Sequence, residues 1–281
     1  MTERRFKQVD VFTAVPLMGN PVAVILEADG LSDADMQRMA AWTNLSETTF
    51  VLPPTDPAAD YRVRIFTPRA ELPFAGHPTL GTAHAVIEAG IAAPRDGVLV
   101  QQCAVGLVRV AVEAAGLSFT LPPHRFEEAP QPDIIVNAVG GAGSVVSGPR
   151  IVNVGPRWVI AELASAQTVE ALEPDLAALA AYDRAHGTTG LTVYATGGAG
   201  DITVRSFAPA DGIAEDPVCG SGNGAVAAFR LDAGQVKPGT AYLSSQGRQV
   251  RRDGRVAVRF GADTIHVGGD CVTLIDGILR L

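Results

Sequence analysis

The chain has 281 residues, 47% hydrophobic and 19% charged, with 22 Lys and Arg against 30 Asp and Glu for a formal charge of −8. A chain of this length holds one large domain or two of about 140 residues, and no stretch reaches the ~18 consecutive apolar residues that a membrane helix needs. Lys and Arg are outnumbered in an acidic chain, which gives no electrostatic footprint for nucleic-acid binding, and small molecules or basic partners are the expected ligands.

The N-terminus runs straight into a strand-like segment and lacks the apolar stretch and cleavage site of a secretory signal, so a cytoplasmic location is expected. Residues 9–12 and 21–26 read as paired strands joined through Met18-Gly19-Asn20. Residues 32–43 read as an amphipathic helix with Asp33 and Asp35 in its first turn, and 47–52 and 61–66 as strands. The segment Pro73-Phe74-Ala75-Gly76-His77-Pro78 leads into an Ala-rich helix over 79–89, which Gly90 stops. Period-2 alternation over 97–121 predicts strands and hairpins, and the Pro- and Glu-rich 122–132 a linker.

Past the linker the same order recurs: strands at 151–154 and 158–163, a helix over 173–186, strands at 191–195 and 201–207, and an Ala-rich helix over 223–232 after a Gly-rich turn. Val63-Arg64-Ile65-Phe66-Thr67-Pro68 matches Val204-Arg205-Ser206-Phe207-Ala208-Pro209, and Phe74-Ala75-Gly76-His77-Pro78 stands opposite Val218-Cys219-Gly220-Ser221-Gly222, at offsets of 141 to 144. A period of half the chain signals duplicated domains rather than a solenoid, and a ligand cleft is expected where two such halves meet. Each Gly-rich turn feeds a helix N-terminus, whose unpaired N–H groups and dipole attract a carboxylate or phosphate.

Cys103, Cys219 and Cys271 are odd in number and widely spaced, which favours reduced thiols over a disulfide framework or a zinc site. His84 reads as a packing residue, and His124, His186 and His266 belong to no cluster, so no metal site is expected.

Five separated segments together carry a resemblance: Asp10-Val-Phe-Thr, Gly19-Asn-Pro-Val-Ala-Val, Asn44-Leu-Ser-Glu-Thr-Thr-Phe, Phe74-Ala-Gly-His-Pro-Thr-Leu-Gly-Thr-Ala and Glu215-Asp-Pro-Val-Cys-Gly-Ser-Gly-Asn. In this order, and over nearly the whole chain, they resemble the phenazine biosynthesis PhzF-like isomerase/epimerase family. The resemblance implies an α+β fold of two pseudo-symmetric halves like those of diaminopimelate epimerase. Each would be a β-barrel-like sheet around a central helix, with the active site in the cleft between them. The halves would comprise 1–121 plus 266–281 and 122–265, the last strand, about 266–281, crossing back to complete the first.

The chemistry implied is a cofactor-free proton shift that moves a double bond in a small, carboxylate-bearing, cyclic or conjugated amino acid. Phenazine precursors such as a dihydro-hydroxyanthranilate and the 4-alkyl-proline dienes of lincosamide-type and pyrrolobenzodiazepine-type antibiotics are both family options. Carried onto this chain, Glu47 is the general acid/base, able to take a proton from one carbon and return it to another if burial lifts its pKa towards working pH. His77 and Asp216 would hold the substrate's amine or hydroxyl and assist proton movement. Gly76, Gly220 and Ser221 would contact its carboxylate. In the epimerase relatives a Cys from each half forms a two-base pair. Here Cys219 stands opposite Ala75, so a symmetric two-thiol epimerase is not expected, and Cys219 is either a small filler or one base of an epimerase working with Glu47. A non-catalytic ligand-binding relative is the reading from another class. No metal, membrane or nucleic-acid partner is expected, and a homodimer is.

Overall fold

The computed structural model describes residues 2–141 and 143–281, and the chain divides into two units, Met1–Thr120 with Gly268–Leu281, and Leu121–Val267. Both are mixed α+β and dominated by sheet.

In the first unit the strand Glu3–Val11 pairs antiparallel with Asn20–Ile25 on one side and with Cys271–Arg280 on the other, so the C-terminal strand is hydrogen-bonded to the N-terminal one. Asn20–Ile25 then runs parallel to Thr48–Leu52. A parallel pair needs a crossover, and helix α1, Asp33–Thr43, supplies it. Ser32 caps this helix in a reciprocal box with Asp35, and Asn44 stops it in the left-handed conformation at φ 54°. Met36, Met39 and Ala40 on its inner face pack against Ile25, Phe50, Leu52 and Phe66. Three residues separate the left-handed Asn44 from the wholly buried strand Thr48–Leu52, and the last of them is Glu47. Its main-chain oxygen accepts the Ala23 N–H, which ties its backbone to the neighbouring strand. Thr48–Leu52 pairs with Tyr61–Phe66, which is antiparallel to Glu71–Leu72 and parallel to Val98–Cys103. The crossover between these last two carries helix α2, Gly76–Glu88.

The second unit has the same succession of connections. Arg157–Leu163 runs parallel to Gly190–Thr196, which pairs with Ile202–Ala208. That strand is antiparallel to Ile213–Asp216 and parallel to Ala241–Gln246. After α3 (Pro132–Ala138), α4 (Ala166–Glu170) and α5 (Leu176–His186), helix α6, Gly220–Asp232, occupies the place that α2 has in the first unit and is also 13 residues long. The motif shared by residues 63–68 and 204–209 takes the same local form in both units. Arg64 makes a bidentate pair with Glu71 and lies 5.1 Å over the Phe66 ring; Arg205 does the same with Glu215 and, at 5.0 Å, with Phe207.

Three expectations need correction. Residues 122–132 are not a linker: Arg125–Glu128 is a strand antiparallel to Val145–Asn153, and α3 starts at Pro132, where a ring-locked φ and a missing N–H suit a first helical position. Its polar composition misleads because Glu127 accepts a bond from Arg157 and Phe126 lies under the Arg150 guanidinium. The long helices also begin three residues early, at Gly76 and Gly220, so the glycines read as turns are helical. Gly76 is needed for close approach, since a Cβ there would lie 2.7 Å from Phe119 Cζ, and further into α6 a Cβ on Gly224 would lie 2.4 Å from Leu121 Cδ1. Finally, the last segment is two strands, Ile265–Gly269 and Cys271–Arg280, rather than one. Among the described residues no helix is long and apolar enough to cross a membrane.

Candidate active site

In the first unit the structure brings Glu47 and His77 together. Glu47 Oε2 lies 3.3 Å from His77 Nε2, with only 16% and 7% of the two side chains exposed. The short connection after α1 delivers Glu47. His77 is the second residue of α2, followed by Pro78 in the first turn, where proline is tolerated. Burial drives the Glu47 carboxyl from 4.5 up to about 7, against a smaller opposing pull from the Ser46 hydroxyl. A carboxyl poised at neutrality can both accept and return a proton, which a fully ionised surface carboxylate does poorly. Gly76 is buried as the first residue of the same helix, and Ala75, its N-cap, makes no side-chain cap bond.

The second unit assembles Asp216, Cys219, Gly220 and Ser221 around the start of α6. Asp216 ends the strand Ile213–Asp216, and its Oδ1 accepts the Val218 N–H at 3.0 Å, the local turn that Asp before Pro favours. Cys219 is the N-cap residue: its Sγ accepts the Gly222 N–H at 3.2 Å and lies 3.6 Å from Ser221 Oγ. The thiol therefore has a structural task that Ala75 cannot perform in the first unit.

Two residues of this set had no signal in the sequence. Gln246 uses both ends of its amide: Oε1 accepts the Cys219 N–H at 3.1 Å and the Asn223 Nδ2 proton at 2.9 Å, while Nε2 donates to the Asp216 carbonyl at 3.0 Å. Main-chain partners on both sides fix which end is oxygen. Trp158 is the other, donating its indole N–H to Ser221 Oγ at 2.9 Å. They lie 27 and 63 positions from their partners, outside any contiguous motif.

Gly222 shows how tightly this turn is built. A Cβ there would sit 2.7 Å from Thr192 Oγ1 and 2.8 Å from Ser206 Oγ, a buried hydroxyl pair bonded at 3.0 Å. Alanine gains about 1 kcal/mol of helix propensity over glycine, but overpacking costs about 1–3 kcal/mol, so Gly222→Ala is expected to lower the urea midpoint. A midpoint at or above that of the parent would show that the hydroxyl pair can give way.

The other histidines stand apart from these sets. His84 Nε2 is 3.2 Å from Thr273 Oγ1, and burial lowers its pKa, so it hydrogen-bonds as well as packs. His124 and His186 lie against Phe126 and Tyr182, and His266 Nε2 is 3.1 Å from Thr264 Oγ1. Among the described residues no three His, Cys, Asp or Glu side chains are grouped to hold a metal ion, and the three cysteines form no disulfide.

Residues 9–277 match the PhzC-PhzF family profile, described as phenazine biosynthesis-like protein. The chain is 39% identical over 292 residues to Antisense-enhancing sequence 1 of Schizosaccharomyces pombe, with 99% of each covered. It is 37% identical over 261 residues to the trans-2,3-dihydro-3-hydroxyanthranilate isomerase of Pseudomonas aeruginosa, covering 91% of this chain and 90% of that one. Among solved structures it matches a PhzF-family phenazine biosynthesis protein of Bacillus anthracis at TM-score 0.87 and 25% identity, over 100% of both chains. A hydroxyproline epimerase from Agrobacterium vitis, at TM-score 0.68 and 14% identity over 99% and 92%, shares the fold.

Proposed function

From its membership of the PhzC-PhzF family of phenazine biosynthesis-like proteins, to which the chain belongs, and in which it is an isomerase, we propose that Glu47 carries a proton between two carbons of one small conjugated carboxylate. The observation that supports this most directly is the buried Glu47 carboxyl, raised to about 7 beside His77. In the forward step the carboxylate takes a C–H proton, the electron pair moves along the conjugated system, and the same carboxyl returns the proton to another carbon. Atoms and charge balance without an electron carrier, which supports a cofactor-independent reaction. His77 holds the carboxyl in place and assists the transfer. In the second unit Asp216 is proposed to assist proton movement, and Cys219, Gly220 and Ser221 are proposed substrate-binding residues; in the first unit Gly76 is proposed as another. The protein is proposed to act in the cytoplasm as a homodimer, in secondary metabolism.

The relative from Pseudomonas aeruginosa is named for trans-2,3-dihydro-3-hydroxyanthranilate, so that compound is the first substrate to test, with 4-alkyl-proline dienes second. In deuterated water, turnover should change the ultraviolet spectrum and place solvent deuterium at the reprotonated carbon. Binding without exchange would instead identify a non-catalytic relative, and exchange with loss of optical activity but no spectral change an epimerase. The cap bond from Gly222 to Cys219 Sγ supports a structural thiol over an epimerase base, so Cys219→Ser should retain the isomerase reaction.

The sign of the pH dependence follows from the base role. Only ionised Glu47 can abstract a proton, so kcat/KM should rise about tenfold per pH unit below about 7 and level off above it. A profile already flat from pH 5 would mean that the abstracting group is not Glu47.

A further inference from the structure

We propose that Trp158 is a positioning residue that fixes Ser221 as a hydrogen-bond donor, selecting an anionic carboxylate oxygen over a neutral amide at the start of α6. This rests on the reading that the α6 turn holds the substrate's carboxylate. A serine hydroxyl has one proton and can either donate or accept towards a ligand, so its preference depends on its other partner. The indole N–H can only donate. At 2.9 Å it occupies a lone pair of Ser221 Oγ, and the serine's own proton must then point elsewhere. One acceptor within reach on this turn is Cys219 Sγ, 3.6 Å away, a weak acceptor that already receives the Gly222 N–H. A carboxylate oxygen is a much stronger acceptor than a thiol, and a bond to a charged partner is worth roughly twice a neutral one.

The surroundings of Trp158 hold the indole in this orientation. Its backbone is paired on both sides, Trp158 opposite Val152 and Gly190. Gly190 has no side chain where a Cβ would come within 2.9 Å of Trp158 Cζ3. The neighbouring Arg157 donates to the His186 and Gly187 carbonyls at the end of α5, anchoring the strand at its start. Trp158 is 3% exposed, whereas Ser221 is half-buried. The fixed donor is thus hidden, and the serine it orients is only half-buried.

Trp158→Phe keeps a ring and removes the N–H. With trans-2,3-dihydro-3-hydroxyanthranilate as substrate, it should raise KM about tenfold, the size expected for a misdirected bond to a charged group, with kcat within about twofold. The same change made on a Ser221→Ala background should add nothing, because the hydroxyl it orients is gone. A fall in kcat at unchanged KM, or an undiminished effect on the Ser221→Ala background, overturns the proposal. Calorimetry with anthranilate and anthranilamide gives a readout that does not need turnover. The parent should prefer the carboxylate, and Trp158→Phe should lose most of that preference; equal preference in both proteins overturns the proposal. Should Trp158→Phe not fold, Ser221→Ala serves: it should weaken anthranilate clearly more than anthranilamide, whose neutral carbonyl is the weaker acceptor, and equal weakening of both overturns the proposal. If the parent shows the carboxylate preference but no proton exchange with any substrate, the isomerase reading fails separately.

Discussion

Glu47→Gln is expected to abolish proton exchange while making the protein more stable at neutral pH. The amide keeps the shape of the side chain but cannot take a proton, so turnover should fall by about 10²–10⁴-fold, the usual contribution of a positioned acid/base. The stability effect has the opposite sign. With a folded-state pKa of about 7 against 4.5 when exposed, the folded protein holds a proton that the unfolded chain has released. The stability this gives is fully present below pH 4.5 and is lost as pH rises through about 7. Above that, holding the ionised carboxylate in the fold costs about 3 kcal/mol, from ~1.4 kcal/mol per pKa unit. Glutamine does not ionise, so urea unfolding at pH 5 and pH 8 should show the variant's advantage widening with pH. A variant that keeps its exchange activity sinks the catalytic role. One whose advantage does not change with pH shows that the carboxyl is not raised.

The second large effect concerns the ion pair beside Asp216. Arg205 and Glu215 are 6% and 9% exposed and bonded in bidentate fashion at 2.9 and 2.7 Å, while Arg205 Nη1 also donates to the Val169 and Leu172 carbonyls. Glu215→Ala would leave a guanidinium buried against main-chain oxygens with no countercharge. Breaking such a pair costs about 3–5 kcal/mol. The matching pair in the first unit, Arg64 with Glu71, has the same bidentate geometry but is 26% and 37% exposed. Water screens it, and Glu71→Ala should cost no more than about 1 kcal/mol. Urea denaturation of both variants tests the contrast, and equal losses would show that burial does not separate the two pairs. Glu215 also precedes Asp216 on its strand, so Glu215→Ala should weaken substrate turnover where Glu71→Ala does not.

The contrast between these pairs marks where sequence reasoning stops. Val63-Arg64-Ile-Phe66 and Val204-Arg205-Ser-Phe207 announce a repeated element, and in both places Arg lies over the Phe two residues on and clasps a Glu. Alternation in a strand places residues i and i+2 on one face, so the Arg-over-Phe contact is a local consequence of the chain. Whether the clasp is buried is not local: Arg205 reaches carbonyls 36 and 33 residues away, whereas Arg64 reaches the exposed Asp33. Helix α1 was legible to its ends for the same reason, since Ser32, Asp35 and Asn44 act within one turn of the backbone they cap. The strand at Arg125–Glu128 and the early starts of α2 and α6 were not, because distant partners decide them.

The candidate site divides in the same way. Glu47, His77, Asp216 and Cys219 stand within the motifs that carry the family resemblance, and the roles proposed for them come from that resemblance. The proton affinity of Glu47 was settled by tertiary structure, since desolvation depends on what the fold places around a side chain. The same is true of Trp158 and Gln246, whose bonds span 63 and 27 residues. Local order along the chain thus carried the family and the duplicated motif. Burial and long-range hydrogen bonding, which exist only once the chain is folded, carried the raised pKa of Glu47 and the bonds of Gln246 and Trp158.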